Sequence, residues 1–375
     1  MDKPAPEILR SRVSRTKAAL DPSLDGLLVT SAAHKGWLSG FTTGVFIAPG
    51  GSILLTRHGD FYETSDVDKE ECAAEVPHLQ VVGYDWRTEK HDERLARLIG
   101  EAGCRRVGVE AAQISAERLA ALRRSLAPNG VDVVEVGPVV DPLREVKDEW
   151  EVTQIRAANR ASAEAFTAIL PLCRPGATEW AISAALENEL RLRGHGSAKL
   201  AFQSIVASGP RSSLPHACVT DRAFAAGDLV TFDFGATWNG YCADVTRTIC
   251  IGRASADQRA LHESVVAGLH AGIAAIAGGL GFAPCSEAAF APIRAAGFGD
   301  HLAHGLGHGI GLEIHEDPRL DPKSERTFTP GMIVTVEPGA YIAGWGGVRV
   351  EDDVLVTAGG REVLTTCGAR ELVEV

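Results

Sequence analysis

The sequence predicts a two-domain protein of the α+β class, and three of its features support this prediction. Its 375 residues exceed the length that one hydrophobic core normally serves. Up to about Pro142, strand and helix signals alternate, as they do in an α/β domain. The remainder opens with a long amphipathic helical pattern and continues with β-rich runs that carry acidic residues.

Short apolar runs and amphipathic runs follow one another in the N-terminal part. Strands are predicted at residues 26–30, 52–56, 107–109 and 131–136, and helices at 94–99 and 116–126. The polar stretch 141–148 is typical of a linker, so the domains are predicted at residues 1–143 and 149–375. His34, Lys35 and Arg57 are expected to be solvated side chains on the surface of the first domain.

The second part begins with a predicted helix from Glu149, because apolar residues recur there at spacings of three and four up to Ile169. Further helices are predicted at 178–193 and 257–277. This part also contains two β-rich runs, 229–235 and 243–249, with Asn239-Gly240 between them. Asn-Gly favours a tight hairpin turn, so Trp238 should pair with Tyr241.

Composition and charge exclude several classes of function. A net charge of −12 argues against nucleic acid or an anionic membrane as a partner. No run of eighteen apolar residues exists, and residues 1–20 lack the apolar segment of a signal peptide. The eight cysteines form no Cys-x-x-Cys pair, which is typical of reduced thiols and predicts a cytoplasmic location.

Five oxygen and nitrogen donors follow in order along the second part: Asp233, Asp244, His308, Glu337 and Glu351. Four carboxylates and an imidazole in one place would repel strongly unless cations lay between them. The set is rich in hard donors and carries more negative charge than one divalent ion balances. It therefore predicts a bridged pair of metal ions, an arrangement that activates water for hydrolysis.

The hairpin count supports convergence of the first two donors. Counting outward from the turn, Asp233 pairs with Thr246, so Asp244 lies diagonally from Asp233 on the same face. The last two donors lie at or beyond the ends of short β-rich runs. Pro and Gly follow Glu337, and a period of two places Arg349 and Glu351 on one face.

His308 lies in a glycine-rich stretch that begins at His304 and contains four glycines. Each glycine costs roughly 1 kcal/mol in a helix interior, so a loop is predicted, followed by a strand that carries His315. Three histidines, His304, His308 and His315, lie within twelve residues. Such spacing favours different roles for them, in which one binds metal and the others bind substrate or move protons.

These segments resemble the metallopeptidase family that includes methionine aminopeptidase, aminopeptidase P and prolidase (Xaa-Pro dipeptidase). The similarity runs through Asp-Phe-Gly from 233, Asp-Val-Thr-Arg-Thr from 244, Gly-His-Gly-Ile-Gly-Leu-Glu-Ile-His-Glu from 307, Val-Glu-Pro-Gly from 336 and Arg-Val-Glu-Asp-Asp from 349. It implies a pita-bread catalytic domain preceded by a smaller creatinase/prolidase-like α/β domain. The segment that begins at Trp37 is similar to part of that N-terminal domain.

The resemblance also implies the metal ligands. One ion would be bound by Asp233, Asp244 and Glu351, and the other by Asp244, His308, Glu337 and Glu351. Two divalent ions per chain are therefore expected, with manganese as the first choice and cobalt or zinc as alternatives.

The remaining roles follow from the same resemblance. His216 and His315 would bind the substrate and stabilise the tetrahedral intermediate, and Glu337 would pass a proton to the leaving nitrogen. His304 and Arg349 would line the pocket for the proline ring and the group beyond it. A homodimer is expected from the relatives.

The implied activity is hydrolysis of a small peptide with proline at its second position, in the manner of an Xaa-Pro dipeptidase. One alternative is an aminopeptidase P that acts on longer peptides. A second alternative is a hydrolase of another C–N or C–S bond on the same fold. A metal-free binding protein is disfavoured, because no position of the ligand pattern is lost.

Overall fold

The computed structural model describes residues 3–41, 50–195, 199–368 and 370–375. Contacts between Cα atoms divide the chain into two compact units, Met1–Arg144 and Glu145–Val375. Both units mix helices with sheets. The predicted two-domain α+β organisation is therefore confirmed.

The N-terminal unit is built around one six-stranded sheet with the order β4-β3-β2-β1-β5-β6. Its strands are β1 (Gly26–Val29), β2 (Ser52–Thr56), β3 (Asp60–Ser65), β4 (Gln80–Tyr84), β5 (Arg106–Glu110) and β6 (Asp132–Val136). Its helices are α1 (Pro6–Ala19), α2 (Ala32–Ser39), α3 (Lys69–Glu75), α4 (His91–Glu101), α5 (Ala116–Leu126) and α6 (Asp141–Arg144). The pairs β3–β4, β1–β5 and β5–β6 are parallel, whereas β2 runs antiparallel to both of its neighbours.

The expected surface position of two N-terminal side chains is wrong. His34 is fully buried, with Nδ1 2.8 Å from Glu110 Oε2 and Nε2 2.6 Å from Asp141 Oδ1. Lys35 is buried too, and its Nζ donates to the Gly51 carbonyl. Arg57 is exposed, as expected. Burial of the two cations is possible because acceptors distant in sequence compensate for lost hydration.

The C-terminal unit contains two larger sheets and two helix pairs. Its helices are α7 (Glu149–Ile169), α8 (Glu179–Arg193), α9 (Ala256–Ala274) and α10 (Phe282–Ala295). Its strands are β7 (Ile205–Ser208), β8 (Leu229–Phe234), β9 (Thr237–Trp238), β10 (Tyr241–Cys242), β11 (Val245–Cys250), β12 (His308–Gly309), β13 (Glu316–Arg319), β14 (Ile333–Val336), β15 (Gly339–Ile342), β16 (Gly346–Arg349), β17 (Asp352–Thr357), β18 (Gly360–Val363) and β19 (Val373–Glu374).

Each helix pair shares a hydrophobic core with one of the sheets. Helices α7 and α8 pack with the sheet β19-β11-β8-β7, where Phe166 of α7 lies against Phe232 and Phe234 of β8. Helices α9 and α10 pack with the sheet β13-β12-β14-β17-β18. Helix α7 begins with a capping box in which Asp148 and Glu151 each accept the other's backbone N–H. Within the described ranges, none of the helices combines the length and apolar character needed to cross a membrane.

Candidate metal centre and substrate cavity

The hairpin that carries the first two donors forms in the predicted register. Asn239 and Gly240 both adopt positive φ, at 48° and 84°, and Trp238 pairs with Tyr241. The ladder continues without a bulge, so Thr246 pairs with Asp233. Two adjacent left-handed residues fit the twist of a tight hairpin, which explains why Asn-Gly sets this register.

The five donors come from the two larger sheets of the C-terminal unit. Asp233 lies on β8 and Asp244 directly precedes β11, whereas His308 lies on β12. Glu337 follows β14, and Glu351 lies between β16 and β17. All five side chains line one cavity of about 610 Å³. Donors that are far apart in the sequence therefore lie together where strands of the two sheets meet.

Distances within the cluster suit shared cations. His308 Nε2 lies 3.6 Å from Asp244 Oδ2 and 3.5 Å from Glu337 Oε1. Ligand atoms of Asp244, His308 and Glu351 lie within 4.8 Å of one another. Donors that share an ion at about 2 Å are separated by roughly 3–4 Å, so the cluster is close to the spacing of a ligand set.

Hydrogen bonds from neighbouring side chains orient the donors. The His308 Nδ1–H faces the Gly309 carbonyl at 3.0 Å, which leaves the Nε2 lone pair directed at the cluster. Thr246 Oγ1 donates to Glu351 Oε2 at 2.7 Å, and Thr335 Oγ1 donates to Glu337 Oε1 at 3.3 Å. These contacts fix the rotamers that bring the donors together.

The electrostatics of the cluster disfavour several ionised carboxylates unless positive charge lies among them. Burial, followed by repulsion from Glu351 and Asp233, raises the pKa of Asp244 well above its usual value. The pKa of Glu351 is likewise raised, by burial and by Glu337. Burial raises the pKa of Glu337 to about 7. It lowers the pKa of His308 to about 3, so the imidazole is neutral and able to act as a ligand.

One buried carboxylate oxygen provides a direct test of whether a metal fits. Within the described residues, Asp233 Oδ1 is buried and has no hydrogen-bond partner, although Oδ2 accepts from Arg349 Nη2 at 2.6 Å. A buried unpaired carboxylate oxygen is costly unless a cation supplies the missing contact. The donor set and this oxygen therefore fit divalent metal ions.

The predicted substrate residues line the same cavity as the donors: His216, His304, His315 and Arg349. His315 packs edge to face against His308, with 4.3 Å between ring centroids. His315 directly precedes β13, so the prediction that a strand carries it is wrong. The backbone from Gly311 to His315 instead forms a bend, in which Glu316 Oε1 accepts the Glu313 N–H.

Arg349 is buried and extensively hydrogen-bonded. Besides Asp233, its guanidinium donates to Tyr341 Oη at 2.8 Å, to the Pro215 carbonyl at 3.2 Å and to Thr246 Oγ1 at 3.1 Å. A guanidinium has five N–H donors, and these contacts engage four of them. Arg349 therefore holds parts of the site in place, in addition to lining the cavity.

The sequence analysis missed two residues of the site, one beside the cavity lining and one within it. Tyr341 joins the site through His304 Nε2, 2.8 Å from its hydroxyl, and through Arg349. Arg319 lines the cavity with an exposed side chain, opposite His308 in the β12–β13 ladder. Strand pairing brings Tyr341 to the site, because Gly339 pairs with Arg349 and places Tyr341 on the adjacent diagonal. No local motif in the sequence indicates this pairing.

A second layer of acidic side chains supports the donors without lining the cavity. Asp353 Oδ2 accepts the Asp244 backbone N–H at 3.1 Å and the Asn159 amide at 2.8 Å. Asp352 pairs with Arg247, whose guanidinium also donates to the Glu351 carbonyl at 2.7 Å. Hydrogen bonds from outside the cavity thus hold the backbones of Asp244 and Glu351 in place.

Two family models match the chain. Residues 153–358 match metallopeptidase family M24, and residues 12–146 match the creatinase/prolidase N-terminal domain. An Xaa-Pro dipeptidase of Pyrococcus horikoshii is 30% identical over 368 residues, which cover 98% of this chain and 100% of that relative.

The chain is also similar to solved structures of two kinds of peptidase. An Xaa-Pro dipeptidase from Bacillus anthracis has a TM-score of 0.91 at 32% identity, covering 98% of this chain and 100% of that one. An X-Pro aminopeptidase from Thermotoga maritima has a TM-score of 0.87 at 30% identity, and the match covers 96% of this chain and 100% of that one. The similarity therefore extends over both units.

Proposed function

Because the chain belongs to metallopeptidase family M24, we propose that it hydrolyses the peptide bond before proline, with Xaa-Pro dipeptides as its preferred substrates. The observation that carries this proposal is the single cavity lined by all five donors together with three histidines and two arginines. Full-length similarity to Xaa-Pro dipeptidases supports the substrate class. We place the domains at residues 1–143 and 149–375, and we propose a cytoplasmic homodimer.

We assign two divalent cations, preferably manganese with cobalt or zinc as alternatives, to the donor cluster. Asp233, Asp244 and Glu351 would hold one ion, and Asp244, His308, Glu337 and Glu351 the other. Such ions, when bound, lower the pKa of water and polarise the scissile carbonyl. The orphan Asp233 Oδ1 and the neutral His308 support this assignment.

The protein's own groups would supply hydrogen bonds and proton transfer. His216 and His315 line the cavity beside the donors, where they can donate to the developing oxyanion. Glu337 lines the same cavity, with its Oε1 3.5 Å from His308 Nε2. As the family resemblance implies, we assign it to passing the proton to the leaving nitrogen.

Recognition of proline must rest on shape and on the carboxylate beyond the ring, because the proline nitrogen in an Xaa-Pro bond carries no hydrogen. The resemblance implies that Arg349 lines the pocket for the group beyond the ring, but four of its N–H donors already bond to protein acceptors. Arg319 is exposed in the same cavity, and we assign it as the principal partner of the substrate carboxylate. Arg349 then positions Asp233 and, through Tyr341, His304.

The second candidate is an Xaa-Pro aminopeptidase that acts on longer peptides. The close structural likeness to the Thermotoga maritima X-Pro aminopeptidase favours it. The two activities differ in whether the group beyond proline must be a free carboxylate. A related C–N or C–S hydrolase would leave peptides uncut.

The test is a comparison of rates on an Xaa-Pro dipeptide, an Xaa-Pro tripeptide and an Xaa-Ala dipeptide in manganese buffer. We expect kcat/KM to be highest for the Xaa-Pro dipeptide, with Arg319→Ala raising KM for it. Comparable cleavage of the tripeptide would move the assignment to the aminopeptidase. No cleavage of any peptide would refute a peptidase function.

A further inference from the structure

The segment that carries His216 has an exposed tip. It leaves β7 at Ser208, passes through a short 3-10 helix at Gly209–Ser213 and continues to Thr220. Leu214 is 50% exposed, and His216 is exposed as well. The imidazole itself is thus not held by burial. Its segment is held by the buried Ala217 and Val219 that follow it and by hydrogen bonds on both sides.

One carboxylate outside the cavity holds both ends of this segment. Glu179, at the start of α8, is fully buried. Its Oε1 accepts from Ser208 N at 2.9 Å and Ser208 Oγ at 2.8 Å, and its Oε2 accepts from Thr220 N at 3.0 Å and Thr220 Oγ1 at 2.7 Å. Arg211 Nε, from the first turn of the same segment, lies 3.2 Å from Oε2.

The cavity side holds the same segment at two further points. Arg349 Nη1 donates to the carbonyl of Pro215, the residue before His216, at 3.2 Å. Gly347 N donates to Ser212 Oγ at 2.9 Å. The segment is thus anchored on one side by Glu179 and on the other by residues of β16.

The burial of Glu179 distinguishes it from an ordinary helix-start carboxylate. An acidic residue in the first helical turn stabilises the helix while remaining solvated, as the exposed Glu149 does at the start of α7. A fully buried carboxylate instead loses its hydration and needs protein donors to compensate. Every hydrogen bond described for the Glu179 carboxylate comes from the segment that bears His216.

We propose that Glu179 is a positioning residue for His216, acting through Ser208, Arg211 and Thr220. The inference rests on the proposed function, because it requires His216 to act on the substrate. The substitution Glu179→Gln keeps the shape of the side chain but turns an NH₂ group toward one of the two backbone N–H donors. The segment would then lose one of its anchored ends.

The experiment is a double-mutant cycle on an Xaa-Pro dipeptide with saturating Mn²⁺. We expect Glu179→Gln to lower kcat about 10–100-fold, as misplacement of a reacting group does. His216→Ala should lower kcat at least as much. The double variant should match His216→Ala within about threefold, because Glu179 has nothing left to position.

Two controls separate positioning from general damage. Glu149→Gln removes a first-turn carboxylate from a neighbouring helix and should leave kcat within about twofold of wild type. The Mn²⁺ affinity of Glu179→Gln, measured by titration calorimetry, should be unchanged within about threefold, because Glu179 contacts none of the donors. If Glu179→Gln does not fold, Thr220→Val removes one hydroxyl donor and should show a smaller loss that disappears in the His216→Ala background.

The outcomes distinguish this inference from the proposed function. A wild-type kcat in Glu179→Gln, or an equal fold-loss with and without His216, would overturn the positioning role. A wild-type rate in His216→Ala would refute the catalytic role of His216 itself. A wild-type protein that cleaves no peptide would refute the proposed function.

Discussion

Replacing Glu337 with glutamine should stabilise the metal-free protein, although it removes a metal ligand. The Glu337 side chain is only 18% exposed, and its pKa rises from 4.5 to about 7 because of burial and repulsion from Asp233. A tenfold change in an acid constant is worth about 1.4 kcal/mol. Ionised Glu337 should therefore lower the free energy of unfolding by roughly 3 kcal/mol.

The sign of the pH dependence follows from the raised pKa. The folded state favours neutral Glu337, so stability is lost as the pH rises from about 4.5 through 7. The advantage of Glu337→Gln should be under about 1 kcal/mol at pH 5 and roughly 3 kcal/mol at pH 8. For a domain of this size, 3 kcal/mol corresponds to about 6–12 °C in Tm.

The assay is thermal unfolding of chelator-dialysed protein at pH 5 and pH 8, repeated with Mn²⁺. Manganese should stabilise wild type by about 2.7 kcal/mol for each bound ion at a hundredfold excess over Kd, and should stabilise the variant much less. The advantage of roughly 3 kcal/mol that the variant has at pH 8 should therefore largely disappear when manganese is added. Glu325→Gln, at an exposed position, serves as the control. A metal-free variant less stable than wild type at pH 8, or equal stabilisation of both by manganese, would refute the reasoning.

Three other predictions test separate parts of the structure. His308→Ala should lower kcat by more than about 100-fold, which exceeds the loss expected for a residue that only hydrogen-bonds a metal ligand. The circular dichroism spectrum should be unchanged, and appreciable turnover would contradict the role of His308 as a ligand. A chelator should abolish activity, and manganese should restore it better than magnesium because one ligand is an imidazole; activity that survives chelation would count against a metal centre. His34 has a raised pKa between Glu110 and Asp141, so the stability that it adds is present below about pH 6.5 and is lost as the pH rises through the raised value. In urea titrations, the free energy of unfolding of the N-terminal unit should depend less on pH in His34→Asn than in wild type. The exposed control His58→Asn should show the wild-type pH dependence. The same pH dependence in wild type and His34→Asn would be inconsistent with this pairing.

Local signals in the sequence were sufficient for the parts of the fold that short-range chemistry determines. The Asn239-Gly240 turn set the register of its hairpin, because both residues adopt the positive φ that the turn requires. The helices at Glu149–Ile169 and Ala116–Leu126 followed from apolar spacing. The helix predicted to reach residue 277 ends at Ala274, with Ala275 as its C-cap residue.

Elements fixed by distant contacts were not predictable in this way. Helices α1 and α2 show little apolar periodicity, because polar groups occupy part of their buried faces. Arg12 is buried under Trp37, with its guanidinium carbon 5.1 Å from the ring centroid and a hydrogen bond to the Trp37 carbonyl. Helix α10 contains Pro292, which argues against a helix when only local sequence is considered.

In the candidate site, too, local motifs were predictable and contacts between distant residues were not. Its donors were found because each lies in a distinctive short segment, and the structure brings all of them to one cavity. Arg319 lines that cavity, and Tyr341 contacts two of its lining residues, His304 and Arg349. Both positions depend on cross-strand neighbours that a linear pattern does not reveal. Glu179 was missed because its partners lie 29 to 41 residues away.

Anomalous diffraction from crystals grown with Mn²⁺ tests most directly whether the acidic cluster is a dinuclear metal centre. We predict two anomalous peaks, both in contact with Asp244 and Glu351, one also touching Asp233 and the other His308 and Glu337. Crystals of the fully loaded protein with no peak among these side chains, or with the side chains turned away from one another, would contradict the account.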